Sequence, residues 1–131
     1  MFDAIKTALS GLLAAQNSLY SVATNVANSS DVSRLKPQAG DAPTFQPIDT
    51  VETTGTGGTV VSTFTPVTPA TVTVPDPQSP LADGQGLVGL PNVDLGTQLV
   101  TAQTAKIAFE ANAKVISTAK KMEQSLLNII T

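Results

Sequence analysis

The chain has no cysteine, no histidine and no tryptophan. Those absences remove disulfides, thiolate nucleophiles, imidazole bases and the two commonest transition-metal ligands together. Aromatic residues are limited to Phe2, Phe45, Phe64, Phe109 and Tyr20. A chain of 131 residues with so few large rings builds a thin core, and partners are expected to complete the burial of its apolar surface. No apolar run approaches the roughly 20 residues that a spanning helix requires. Seven basic residues against ten acidic ones give a net charge of −3. No dense basic patch is present, so nucleic-acid binding is not expected. The start, MFDAIKTALSG, lacks a continuous apolar core of the kind a cleaved secretory signal needs. No cleaved leader is therefore expected, which suits cytoplasmic residence or a dedicated export machine that handles an uncleaved N-terminus.

What is present is unevenly distributed. All nine prolines lie between Pro37 and Pro91, and every glycine except Gly11 lies between Gly40 and Gly96. The shift divides the chain into residues 1–30, 31–90 and 91–131, two proline-free ends around a Pro/Gly/Thr/Val-rich middle, together one structural unit. Acidic residues dominate the middle, and Lys106, Lys114, Lys120 and Lys121 outnumber Glu110 and Glu123 after it.

The N-terminal segment has a helical period. Phe2, Ile5, Leu9, Leu12, Gln16, Leu19, Ala23 and Val26 follow alternating steps of three and four, a heptad seam with one polar break at Gln16. A helix is predicted over Phe2–Ala27, about 39 Å long at 1.5 Å per residue. Gly11 lowers helix propensity by about 1 kcal/mol relative to alanine, and close approach of a neighbouring backbone is the expected return. The cluster Asn28-Ser29-Ser30-Asp31 ends the helix, because such side chains compete for backbone hydrogen bonds. In the C-terminal segment Asn92 or Asp94 reads as an N-cap. Leu95, Leu99, Ala102, Lys106, Phe109, Ala113 and Ile116 then repeat the pattern, and past Ile116 the apolar face drifts to Ala119, Met122, Leu126 and Ile129 or Ile130.

The middle carries β-branched runs at 59–65 and 70–74 and a weaker one at 45–53, with Gly55–Gly58 as a turn. Prolines at 66, 69, 75 and 77 restrict these runs to edge strands or a small irregular sheet. Residues 37–43 and 76–87 read as loops. The expected fold is mainly α with a small β insert: long terminal helices packed as a coiled-coil-like hairpin around an irregular β middle.

Candidate chemistry is thin. Gly84-Gln85-Gly86-Leu87-Val88-Gly89 matches GxGxxG, but the dinucleotide fingerprint needs a strand before it and a helix at it, and prolines flank this one on both sides. It reads as a turn-rich loop. Asn28-Ser29-Ser30 fits a glycosylation acceptor without a secretory context. Asp41, Asp49 and Glu52 lack EF-hand spacing. Ser10 and Lys6 are i,i+4 neighbours on a helix, and no GxSxG element or histidine activates any serine. No catalytic, cofactor or metal site is expected, and the apolar seams are what remains for function.

Two stretches resemble a known family. Ser10-Gly11-Leu12 followed by Asn25-Val26-Ala27-Asn28 is similar to the N-terminal signature of bacterial flagellar rod and hook axial proteins. Pro91-Asn92-Val93, Phe109-Glu110-Ala111-Asn112 and Thr118-Ala119-Lys120 look like its short proximal-rod members. The resemblance covers about residues 4–30 and 86–130 and leaves the middle aside. It implies a non-enzymatic structural subunit that is exported unfolded through the flagellar type III apparatus without a cleaved signal. Such subunits polymerise through their terminal helices into the periplasmic rod, the shaft that transmits torque from rotor ring to hook. The implied partners are copies of the chain itself, the B-type proximal rod protein, the F-type rod protein, the rod–ring adaptor and the export apparatus. No nucleic acid or small-molecule substrate is implied. The expected assembly interface is Ile5, Leu9, Leu12, Leu19, Val26 and Asn28, with Asn92, Leu95, Leu99, Phe109, Asn112, Ile116 and Leu126. The alternative from another class is a soluble helical-hairpin binding module such as a secretion chaperone or adaptor.

Overall fold

The computed structural model describes residues 2–130, with side chains to residue 129. Met1 and Thr131, the outer ends of the two terminal segments, lie outside the described residues, as does the side chain of Ile130. Helix α1 spans Phe2–Ala27 and helix α2 spans Leu95–Ile130. Between them come strands β1 (Ile48–Thr54), β2 (Val60–Pro66), β3 (Thr71–Pro75) and β4 (Leu87–Pro91).

The helix ends follow local chemistry. At the end of α1 the Asn28 side chain donates to the Thr24 carbonyl at 2.7 Å, and the Ser29 hydroxyl donates to the Val26 carbonyl at 2.8 Å. These bonds add side-chain donors to last-turn carbonyls that also accept the backbone amides of Asn28 and Ser29. Of the two N-cap candidates Asp94 is the one used, its Oδ1 accepting from the Thr97 amide at 3.0 Å. Asn92 instead extends the sheet, its amide donating to the Ala70 carbonyl and its side chain to the Pro69 carbonyl.

β1 and β2 form an antiparallel hairpin in which Thr50 faces Phe64 and Glu52 faces Ser62. The turn at Gly55–Thr59 contains Gly57 and Gly58, both at positive φ, a conformation glycine adopts without a side-chain clash. β3 and β4 form a second antiparallel pair, Thr71 to Pro91 through Pro75 to Leu87. Each ladder has only two strands, so every strand is an edge and the terminal prolines of β2, β3 and β4 are tolerated.

β4 departs from the sequence reading, which placed Gly84–Gly89 in a loop. Its second half is strand because β3 pairs with one edge, while Ser33 exchanges two backbone bonds of 2.9 Å with Gly89 on the other. A Cβ on Gly89 would lie 3.0 Å from the Ser33 hydroxyl, so the glycine marks a close approach rather than a turn.

The loop before β4 is held by Asp83, whose Oδ1 accepts from the amides of Leu87 at 3.0 Å and Gln85 at 2.8 Å. Those bonds lower the carboxyl's pKa below its ordinary value. A depressed folded pKa contributes stability above the unfolded value and loses it as pH falls through the folded one. Amide exchange at Gln85 and Leu87 is therefore expected to accelerate below the ordinary carboxylate range, beyond the intrinsic pH dependence. Asp83→Ala should show the faster exchange already at neutral pH.

Candidate assembly interface

The two long helices run antiparallel, with Gly11 against Asn112 and Asn25 against Gln98. The face that α1 turns inward is made of small and polar residues: Ala8, Ala15, Ser18, Val22 and Asn25 are buried, and Gly11 lies among them. From α2 come Gln98, Ala105 and Ala119, all buried, with Asn112 between them at the same seven-residue spacing. This seam corrects the expected one. Apart from Asn112, which stands in the seam itself, and Leu126, which keeps the seam's register, the expected helical residues lie one position later, about 100° around the helix. Small side chains suit the inner face because they leave room for the facing helix, as Gly11 does for the Asn112 side chain.

Gly11 shows how tight that approach is. A Cβ there would lie 2.6 Å from the Asn112 Nδ2 and 2.8 Å from its Cγ. The neighbour is a side chain, not the backbone expected from sequence. The Asn112 amide is itself tethered, donating to the Ala108 carbonyl at 2.9 Å. Gly11→Ala is therefore expected to destabilise the fold by about 1–3 kcal/mol through overpacking, despite a propensity gain of about 1 kcal/mol. Adding Asn112→Ala should recover most of that loss, and a denaturation cycle over the four chains measures the coupling.

A second flank of α1 carries the β1–β2 hairpin, mostly through polar bonds. Asn17 donates to the Ser62 hydroxyl at 2.6 Å, Thr50 donates to the Ser21 hydroxyl at 3.0 Å, and the Val60 amide donates to the Ser10 hydroxyl at 3.0 Å. Ser10 also donates to the Thr7 carbonyl, so its hydroxyl holds the hairpin in place. Tyr20 and Phe64 add a tilted ring contact at 5.6 Å.

The most buried polar side chain in this region is Asn25, 1% exposed. Its amide donates to the Ile48 carbonyl at 2.8 Å and its oxygen accepts from the Ile48 amide at 3.0 Å, as a paired strand residue would. A third bond, 3.3 Å to Gln98 Oε1, reaches α2. One side chain thus ties the end of α1, the first residue of β1 and the first turns of α2. The sequence reading chose Asn28 from the same Asn-Val-Ala-Asn element. The available signal was spacing: Asn25 is in phase with Ala8, Ala15 and Val22, and Asn28 belongs to the helix end.

The third flank of α1 carries the large apolar residues. Leu9 is 51% exposed, and Phe2, Leu13 and Val26 are exposed as well. Ile5, Leu12 and Leu19 are half-buried at its border with α2. On this side of α2, Leu95 and Leu99 are exposed and Phe109 and Ile116 are half-buried, whereas the half-buried Asn112 stands in the seam and the exposed Leu126 continues the seam's register beyond it. In an antiparallel pair, a stripe one residue past the seam on each helix falls on the same side. The stripes of α1 and α2 therefore form one continuous apolar face, away from the β1–β2 hairpin. Beyond Ala119 the last turns of α2 run past the first turn of α1, and Met122 and Ile129 are exposed there on the side of α2 away from this face. Lone exposed leucines are ordinary on protein surfaces, whereas here exposed and half-buried large apolar residues share one side of the helix pair. Among the described residues no acidic group is assembled for a metal ion, and no helix is long and apolar enough to cross a membrane.

Comparison with known proteins identifies the family. Residues 85–129 match the family described as flagellar basal body rod FlgEFG protein C-terminal. The chain is 32% identical over 120 residues to the flagellar basal-body rod protein FlgC of Salmonella typhimurium, covering 89% of both chains. The chain belongs to the FlgC family. The FlgC proteins of Aquifex aeolicus and Escherichia coli O157:H7 are 31% and 30% identical to it, over 93% and 92% of this chain and 91% and 90% of theirs. FlgC family membership gives the chain a structural role in the flagellar rod. The family match spans β4 and nearly all of α2.

Proposed function

We propose that this chain is a self-assembling, non-enzymatic subunit of the proximal rod, carrying torque between the rotor ring and the hook. The supporting observation is the inversion of side-chain size across the helices. Small and polar residues together with Val22 fill the seam within the chain, and leucine and phenylalanine line its outer face. A monomer built to remain alone would place the larger residues inside. In this reading the α1–α2 pair is a coiled-coil-like hairpin that packs into the rod wall, and the β elements brace neighbours. Its partners are other copies, the B-type and F-type rod proteins and the rod–ring adaptor. Delivery to the periplasm runs through the flagellar type III export apparatus without cleavage of a signal.

Deleting the gene tests the role directly. The expected result is non-motile cells with basal bodies lacking a complete rod, restored by the intact chain. Motile cells with complete basal bodies would overturn it.

A further inference from the structure

The apolar face is one side of a two-helix slab, and the opposite side is shaped differently. There the β1–β2 hairpin rests on α1 and stands clear of α2, leaving a groove floored by Ala14, Ala15, Ala105 and Ala108 and flanked by Val60 and Glu52. The face offers large protruding side chains, and the groove offers a floor of small ones with space above it, walled on the α2 side by Val100 and Thr104. The two surfaces also differ in charge at one height along the slab. Gly11 opposite Asn112 and Asn25 opposite Gln98 place Ser18 level with Ala105. The Ser18 hydroxyl reaches Glu52 Oε1 at 3.4 Å, so Glu52 stands at that level on the groove side. Lys106, the residue after Ala105, stands at the same level on the apolar side, 70% exposed and only loosely paired with Glu110 at 3.9 Å.

We infer that the apolar face of one copy docks into the groove of a second copy of this chain, with Lys106 of the first opposite Glu52 of the second. The inference rests on the rod-subunit reading and specifies which surfaces meet. Leucines of the face fill the alanine-floored groove, and the charge pair sets the axial register. The two surfaces are different and lie on opposite sides, so the contact is heterologous and repeats from copy to copy instead of closing as a two-fold dimer. A dimer through two apolar faces would instead bring Lys106 toward Lys106 and leave both grooves empty.

The absence of native cysteine makes the test clean. Full-length Lys106→Cys and Glu52→Cys chains are purified, then oxidised separately and as a mixture at concentrations where the chain self-associates. The expected product is a mixed disulfide, formed only in the mixture and identified by intact mass. A disulfide homodimer of Lys106→Cys alone, or no cross-link in the mixture, overturns the contact. A charge exchange gives a second readout. Lys106→Glu and Glu52→Lys should each weaken self-association about tenfold, and mixing the two should restore it, because every contact in the alternating assembly again pairs opposite charges. Unchanged association of the single variants also overturns the contact. A failed cross-link together with non-motile deletion cells removes this contact and leaves the rod role standing, whereas motile deletion cells remove the rod role itself.

Discussion

A chain carrying Leu9→Asp is expected to fold and to fail in assembly. Leu9 is about half exposed within the chain, so the folding cost is confined to partial lost burial and a weaker helix former, together about 1 kcal/mol. In an assembly that covers the apolar face, the same carboxylate would be desolvated without a partner. That costs several kcal/mol, or about a hundredfold or more in each association step. The measurement pairs circular dichroism and denaturation of the purified variant with motility and basal-body content of complemented cells. Native-like stability with lost motility is the expected combination. Full motility at normal expression would exclude Leu9 from any buried interface. The half-buried Leu12 is a less clean probe, since its replacement also disturbs the contact with α2.

The second large effect falls on stability. Asn25→Ala should destabilise the chain by about 2–4 kcal/mol, because it strands the Ile48 amide and carbonyl and the Gln98 side-chain oxygen in one substitution. The loss should have a spatial signature in amide exchange, concentrated in β1, its partner β2 and the first turns of α2, with the middle of α1 less affected. Asn25→Asp separates hydrogen bonding from shape. The carboxylate keeps the acceptor for the Ile48 amide but loses both donors and places a charge against two oxygens. Burial raises the folded pKa of such a carboxyl, so the stability tied to its protonated form is lost as pH rises through that raised value. The variant should therefore be markedly weaker at neutral pH and recover part of the loss on mild acidification. A change below about 0.5 kcal/mol for Asn25→Ala would show that water replaces the clamp readily.

Both substitutions concern side chains that the sequence displays but does not rank. The helix over Phe2–Ala27 was legible to the residue, because periodicity, the absence of proline and the Asn/Ser terminus are local signals. The start of α2 was legible for the same reason, with Asp94 satisfying the Thr97 amide of the first turn. Strands β1, β2 and β3 appeared as β-branched runs displaced by a few residues at most. β4 did not, because its glycines carry a turn signal and its strand character comes from β3 and Ser33 on its two edges.

The same division separates the seam from the face. Sequence periodicity established that each helix has an apolar stripe and that the two stripes match, because a helical repeat is written in spacing alone. It ranked leucine above alanine and so selected the stripe with the greater hydrophobicity. The folded chain turned inward the adjacent stripe of alanine, glycine and serine instead, since close backbone approach depends on side-chain size across both helices at once. The roles of Gly11 and Asn25 were settled in the same way. One depends on where Asn112 lies and the other on where Ile48 and Gln98 lie, and residues so distant along the chain become neighbours only through the tertiary fold.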